Sequence, residues 1–355
     1  MAEVPVRGLP EAIGELTNPF ALEELTDDRL PLFVVDMTGA PATDPQAVAE
    51  SVATLQLVGA VTVGIVDALV SAPIAELAEH FDIVLGQGEL APTSAVATSD
   101  SSADVRTIAE AVSHNPSASV MLCHVLRQGP VDDVAHGLVT ESLSYGALQA
   151  SAEFQTWLDA HGDRGRSRMA PPEPDAPAVL TRRDGSTLRI TLSRPERANA
   201  FDSTMRDQLV EALRVLATDP HLDGALIDGA GDSFCSGGDL AEFGKTSDPA
   251  AAHQIRVMRN AGWWMHQRAS DIRVRVHGHC VGAGIELPAF AGTVHAEPDA
   301  VFRLPEVAMG LIPGAGGTVS IPRRIGRHRT AYMAITGQEI SARQALAWGL
   351  VDRVL

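Results

Sequence analysis

Cysteine is scarce in this chain: Cys123, Cys235 and Cys280 are the only three among 355 residues. They are too few and too scattered for a disulfide framework or a zinc site, and they suit a reducing, cytoplasmic setting. Aromatic residues make up only 4%. That excludes an aromatic-rich recognition surface and suits helices with buried parallel strands. Basic residues are outnumbered, with 27 Lys and Arg against 45 Asp and Glu, a net charge of −18. The sign is wrong for a general nucleic-acid or anionic-membrane binder. The longest apolar runs, such as Leu57 to Val70, are interrupted by Gly59, Gly64 and Asp67 and are too short to span a bilayer. The first twenty residues lack the basic-then-apolar layout of a signal peptide, so none is expected.

What is present is ordinary globular material, 45% apolar and 20% charged. At about 150 residues per domain the length predicts about two domains. The clearest boundary is RGRSRMAPPEPDAPA, residues 164–178, with four prolines and no apolar periodicity. It reads as a linker between residues 1–163 and 179–355. Residues 1–30 read as an irregular arm. Within 31–100, the runs from Leu32, Val61 and Ile83 read as strands with a helix from about Ala72 to Phe81. That alternation predicts parallel βαβ units. Residues 88–101 read as loop. From 103 to 161 the apolar period becomes helical, with Asn115-Pro116 marking a second helix start. The second half alternates again: strands at 187–192, 224–228, 272–277 and 293–295, helices at 203–218, 250–269, 283–291 and 342–348.

Three stretches carry chemistry. GAGDSFCSGGDLAEF (229–243) follows an apolar run, and its glycines free backbone N–H groups for a ligand; Asp239 is placed to cap a following helix. VRVHGHCVGAGIEL (274–287) runs from a strand through Gly282-Ala283-Gly284 into a helix. The first amides of a helix lack partners, so two such loops together can hold one oxygen anion. FRLPEVAMGLIPGAGGT (302–318) places Glu306 in apolar surroundings, and Glu286 lies twenty residues earlier in an equally apolar run. A carboxylate so placed has a raised pKa and can act as an acid or base. His277, His279 and Cys280 read as packing residues, and their spacing gives no metal site.

In order and separation, SRPERANAFDSTM (193–205), GDSFCSGGDL (231–240), HGHCVGAGIEL (277–287), LPEVAMGLIPGAGGT (304–318) and the closing GLV (349–351) resemble the crotonase, or enoyl-CoA hydratase/isomerase, superfamily. The resemblance implies an α/β fold with a crotonase-like spiral core of ββα units over 179–355. It implies an acyl-CoA thioester substrate whose enolate oxygen is held by the amides of Gly238 and Ala283. Glu286 and Glu306 would hold a water between them, with Glu306 the proton donor to C2. Retention of both favours an enoyl-CoA hydratase, a hydro-lyase of the kind used in fatty acid metabolism. The resemblance implies CoA contacts at Arg197, Ala198, Ala200, Ser236, Gly237, Asp239 and Leu240, with Arg197 on a phosphate. Coenzyme A is then part of the substrate, and no metal or redox cofactor is called for. It also implies a homo-oligomer, a trimer or hexamer, with no nucleic-acid or membrane partner.

Two features depart from the pattern. The sequence ends soon after GLVDRV, where the family continues into helices that close over the acyl site; residues 103–161 resemble those helices. Residues 61–86 faintly resemble the family's central strand and helix. The expectation is an N-terminal domain, 1–163, made of a degenerate crotonase-like α/β part and a helical cover. The competing reading is an unrelated helical cap. Secondly, Pro288 falls early in the helix after Gly284, and Gly292 stands where many members carry Asp, which puts the geometry around Glu286 in question. Trp263, Trp264 and Met265 fit either an acyl-pocket wall or a helix interface. The alternative functions are an enoyl-CoA isomerase, a cofactor-independent arylacetyl-CoA oxygenase, or a silent acyl-CoA-binding scaffold subunit.

Overall fold

The computed structural model describes residues 4–26, 30–41, 43–67, 71–87, 94–128, 133–167, 176–245 and 248–355. They form two compact units, Met1–Pro130 with Gly326–Thr336, and Val131–Ile325 with Gly337–Leu355. Among the described residues no helix is long and apolar enough to cross a membrane.

In the first unit, β1 (Val6–Gly8), β2 (Leu32–Asp36), β3 (Val61–Val66), β4 (Ile83–Gln87) and β5 (Val96–Thr98) pair in that order, all parallel. Every residue of β3 is buried, as expected of a parallel strand covered on both faces. The N-terminal residues are therefore not an irregular arm. Besides β1 they form α1 (Leu9–Leu16) and α2 (Ala21–Glu24), and α1 buries Leu9, Ala12 and Leu16 in the same core as Phe33 and Val35. That i, i+3, i+7 spacing is one helical face. Next, α3 (Pro45–Leu57) is capped by Asp44, which accepts from Gln46 N at 3.1 Å. Then come α4 (Ala72–Ala78), α5 (Ser101–His114) and α6 (Pro116–Arg127). Of the stretch expected as loop, 88–101, residues 88–93 lie outside the described residues, and Val96–Thr98 is the edge strand.

Inside this unit Asp82 and Arg127 form a buried bidentate pair, with Nε to Oδ1 at 2.9 Å and Nη2 to Oδ2 at 2.7 Å. Thr62 N and Oγ1 also donate to Asp82, and Arg127 also donates to the carbonyls of Val58 and Ala60.

The second unit opens with α7 (Val134–Gln149) and α8 (Ala152–Ser167). The antiparallel hairpin β6 (Val179–Asp184) and β7 (Thr187–Leu192) then starts the larger sheet. β6 escaped the sequence reading because its residues after Val179 are exposed; it is an edge strand, where charge is the usual protection. The chain continues through α9 (Ser203–Thr218), β8 (Gly224–Gly229), α10 (Pro249–Met258), α11 (Ala261–Gln267), β9 (Ile272–Val276), β10 (His279–Val281), α12 (Ala283–Glu286), β11 (Thr293–Ala296), β12 (Val301–Arg303) and α13 (Gly317–Ile325). Next, α14 (Arg327–Thr336) packs in the first unit on α5, α6 and β4. β13 (Ile340–Ser341), α15 (Ala342–Trp348) and β14 (Arg353–Val354) close the chain. The six-stranded sheet runs β14-β11-β9-β8-β7-β6, parallel except for the hairpin, and β10-β12-β13 form a second sheet.

Three expectations change here. The helix expected over 250–269 is two helices, because Asn260 accepts from Trp263 N at 2.8 Å and starts a new one. The helix expected over 283–291 stops at Glu286, and Pro288 opens a separate 3₁₀ turn at its first position, where proline is tolerated. The compact units part between Pro130 and Val131, not at residue 163. Most of the expected linker, residues 168–175, lies outside the described residues. The helices of 103–161 thus belong to different units. α5 packs on β2 and β3 of the first, while α7 packs on α10, α11 and α13 of the second. Apolar periodicity marks a helix but does not name the surface that buries it.

Candidate active site

Two loops of the second unit run side by side. Cys235 N donates to His279 O at 3.1 Å, and Val281 N donates to Cys235 O at 3.0 Å. The pair ends at Gly237 and Gly282, with φ of +94° and +51°. A side chain on Gly282 would strike the Glu306 carboxyl oxygen, so glycine is required there for close approach as well as for its left-handed backbone. On the other side, Phe201 N donates to Gly237 O at 2.8 Å and Asp239 N donates to Phe201 O at 3.0 Å. That alternation leaves the amide of Gly238 itself out of the ladder. Ala283 is the first residue of α12, so its amide has no acceptor within the helix.

Gly238, Ala283, Glu286 and Glu306 all line one pocket of about 240 Å³. Phe201, Phe243, Ala261 and Leu287 supply apolar wall, and Arg206, Arg256, Arg259 and Asn260 supply polar wall. Trp263, Trp264 and Met265 do not line it. Trp264 instead carries the Arg214 guanidinium 5.4 Å above its ring, and Met265 is buried.

Glu286 ends α12 and is 2% exposed. Its Oε2 accepts from Ala315 N at 2.7 Å and Gly317 N at 2.9 Å. Burial raises its pKa to about 7, although the amides of Ala315, Gly317 and Gly314 favour the anion. Glu306 stands just before the 3₁₀ turn Val307–Met309. Its Oε2 is enclosed and meets no hydrogen-bond partner among the described residues. Burial first, and the neighbouring Glu286 second, hold its proton affinity well above the ordinary glutamate range, with Arg303 pulling the other way.

The expected CoA loop is ordered differently from a solvated arm. Arg197 is 9% exposed and lies 3.8 Å from Asp239, which also pairs with Arg194 at 3.0 Å. Asp239 does not cap a helix. Turns follow it, and its Oδ1 accepts from Ala241 N at 3.0 Å. Ala198 and Asn199 both hold positive φ, and the fully buried Asn199 explains how. Its Oδ1 accepts from Arg194 N, and its Nδ2 donates to the carbonyls of Ala230 and Ser233. Ser236 N donates to Ala198 O at 3.0 Å. Of the seven residues expected at CoA, only Asp239 lines the pocket; Arg197, Ala198, Ala200, Ser236, Gly237 and Leu240 do not.

The sequence reading expected helices within 103–161 to cover the site but named none of the side chains that α7 contributes. Tyr145 and Gln149 line the pocket, and Tyr145 seats against Gly314, where a Cβ would stand 2.6 Å from its ring. Glu141, one turn earlier, is 2% exposed and reaches the loop that holds Glu286. A polar residue at a buried helical position leaves no periodic signal to find.

The family model for enoyl-CoA hydratase/isomerase matches residues 182–355. The 2,3-dehydroadipyl-CoA hydratase of Escherichia coli is 33% identical over 178 residues, half of this chain and 68% of that protein. The chain belongs to the enoyl-CoA hydratase/isomerase family. The mevalonyl-coenzyme A hydratase of Aspergillus fumigatus is 34% identical over 47% of this chain and 62% of its own length. The 1,2-epoxyphenylacetyl-CoA isomerase of E. coli is 33% identical over 50% of this chain and 69% of its own. The chain thus spans about two thirds of the length of these relatives.

Proposed function

We propose that this site adds water reversibly across the C2–C3 double bond of a 2-enoyl-CoA. The observation that carries the reading is the pair Glu286 and Glu306 on one pocket with the amides of Gly238 and Ala283. The two carboxyls differ in the way the reaction needs. Glu286 accepts two amide hydrogen bonds, which suit an anion, and Glu306 has an enclosed oxygen without a hydrogen-bond partner among the described residues, which suits a retained proton. Glu286 takes a proton from water as its oxygen bonds to C3. The electron pair of the double bond moves onto the thioester oxygen, where the Gly238 and Ala283 amides hold the enolate. Glu306 then gives its proton to C2, and exchange with solvent returns the pair to its starting state. Proton transfer and oxyanion stabilisation supply this chemistry without calling on a metal or redox group.

Arg197 enters this reading as a CoA phosphate contact only by turning from Asp239 toward the ligand. A cytoplasmic setting accords with three free, buried cysteines. We also retain the readings of a homo-oligomer, and of residues 31–100 as a degenerate copy of the core, on the strength of their parallel strand-helix-strand order.

The test is incubation of the full chain with a 2-enoyl-CoA in ¹⁸O-labelled water. The expected result is loss of enoyl-thioester absorbance and a 3-hydroxyacyl-CoA carrying the label. A double-bond-shifted product without label would replace hydration with isomerisation.

A further inference from the structure

Four consecutive amides at the start of α13 are shared between two carboxylates. Ala315 and Gly317 donate to Glu286 at 2.7 and 2.9 Å. Gly316 and Thr318 donate to Glu141, at 2.7 Å to Oε1 and 2.9 Å to Oε2. Thr318 Oγ1 adds a third bond to Glu141 at 2.7 Å. The segment is gripped from one side by α7 and from the other by α12. Its amides alternate, so a rotation that freed Gly316 or Thr318 would also turn Ala315 and Gly317 away from Glu286. Glu141 does not line the pocket, so it acts through this segment and not on the substrate.

α7 is itself fixed. Arg256 of α10 donates to Ser142 Oγ at 3.0 Å, to Ser142 O at 3.1 Å and to Gln149 Oε1 at 3.2 Å, and it covers the Tyr145 ring at 5.0 Å. A carboxylate buried without a cation partner is costly as pure scaffolding. Its presence beside Glu286 needs a reason in the chemistry.

We propose that Glu141 is a positioning residue: by holding Gly316 and Thr318 it aims the amides of Ala315 and Gly317 at Glu286. The inference rests on the hydration reading for its kinetic consequences. It has an electrostatic one too. The groups around the pair are Glu306, Tyr145, Cys235, Arg256 and Arg303. Burial and the charge of Glu286 push Glu141 up to about 8. Once ionised, Glu141 in turn makes the proton on Glu306 harder to remove.

The decisive variant is Glu141→Gln in the full chain. One side-chain oxygen still accepts, but the new NH₂ faces a backbone N–H and that bond is lost. The expected result is a fall in kcat of about 10- to 100-fold, the scale of a small misplacement of a reacting group, with KM within about threefold. The alkaline limb of the rate profile also moves to lower pH, because Glu306 loses a negative neighbour. A kcat within twofold of the parent overturns the proposal, and so does a lowered kcat with the limb unmoved. Should that variant not fold, Thr318→Val removes only the hydroxyl bond. The expectation is a fall in kcat of about 2- to 10-fold, and a parental kcat overturns the proposal. Infrared titration of the Glu306 carboxyl band, assigned with Glu306→Gln, gives a readout without turnover. A band that titrates at lower pH in Glu141→Gln supports the proposal even if the parent hydrates nothing, and an unmoved band sinks it.

Discussion

Asp82 in the first unit and Glu286 in the second are both 2% exposed, yet their surroundings have opposite effects on their protons. Asp82 faces a bidentate guanidinium and two donors from Thr62, and those partners outweigh burial, so its pKa is lowered. Glu286, Glu306 and Glu141 lie together, no ion pair reaches them among the described residues, and burial wins, so all three pKa values are raised. Both units build parallel sheets from Val- and Ile-rich strands, so the sheets do not explain the difference. A buried acid with its counter-charge is structure, and a buried acid without one is a store of labile protons.

The comparison breaks most readily at the unpaired acids. Glu286→Gln and Glu306→Gln should each lower hydration of a 2-enoyl-CoA by about 10²- to 10⁴-fold, measured as kcat on the full chain, and neither should unfold the second unit. If both variants keep parental rates, the carboxylates are not the proton carriers. At the paired acid the outcome reverses. Asp82→Asn leaves the Arg127 guanidinium buried without its counter-charge, at a cost of about 3–5 kcal/mol. The expected readout is an earlier denaturant transition of the first unit.

Stability against pH sharpens the contrast. Glu286 has its folded pKa raised, to about 7. Its contribution is therefore present below the unfolded glutamate range and lost as pH rises toward and through 7. Asp82 has its folded pKa lowered, so its contribution is present above the unfolded aspartate range and lost as pH falls through it. Alkali should thus loosen the second unit and acid the first. Thermal unfolding of each unit, followed across pH, is the measurement. Glu286→Gln should flatten the alkaline loss in the second unit by a few degrees of melting temperature and leave the acid response of the first unit unchanged. A parental alkaline response in that variant would mean that Glu286 does not carry the linkage.

What the sequence disclosed follows from the same physics. Glu286 and Glu306 stood out as acids in apolar runs, and Gly238 and Ala283 through the resemblance of their motifs; all four line one pocket. The central strands β2, β3 and β4 of the first unit were legible from apolar runs such as Val34-Val35 and Val61–Val66, whereas the short outer strands β1 and β5 were not. Glu141 was not, because its partners lie 175 and 177 residues away and its own helix offers no unusual pattern. The unit boundary was missed for a related reason. The proline-rich stretch at 164–178 is conspicuous in composition, whereas the division at Pro130 is set by which surfaces α5 and α7 bury. Gly310 and Gly314 were read only as part of the motif at 304–318. They are also seats, for the start of α8 and for Tyr145, a role visible only with the helices in place.

The smallest test uses matched helix caps. Asp100 accepts from Ala103 N at 2.9 Å at the start of α5, and Asp133 accepts from His136 N at 3.0 Å at the start of α7. The bonds are nearly identical, so Asp100→Ala and Asp133→Ala should each cost about 1 kcal/mol. Equal loss of stability should not bring equal loss of function. α5 packs on β2 and β3 of the first unit and carries none of the proton-transfer groups, so Asp100→Ala should keep the parental kcat. α7 carries Glu141 and Tyr145, so fraying its first turn should lower kcat by about 2- to 5-fold, on the scale of one weakened hydrogen bond. Both variants would be compared by denaturant midpoint and by kcat. If Asp133→Ala lost stability and kept full activity, the first turn of α7 would be support alone, and the working part of the helix would begin at Glu141.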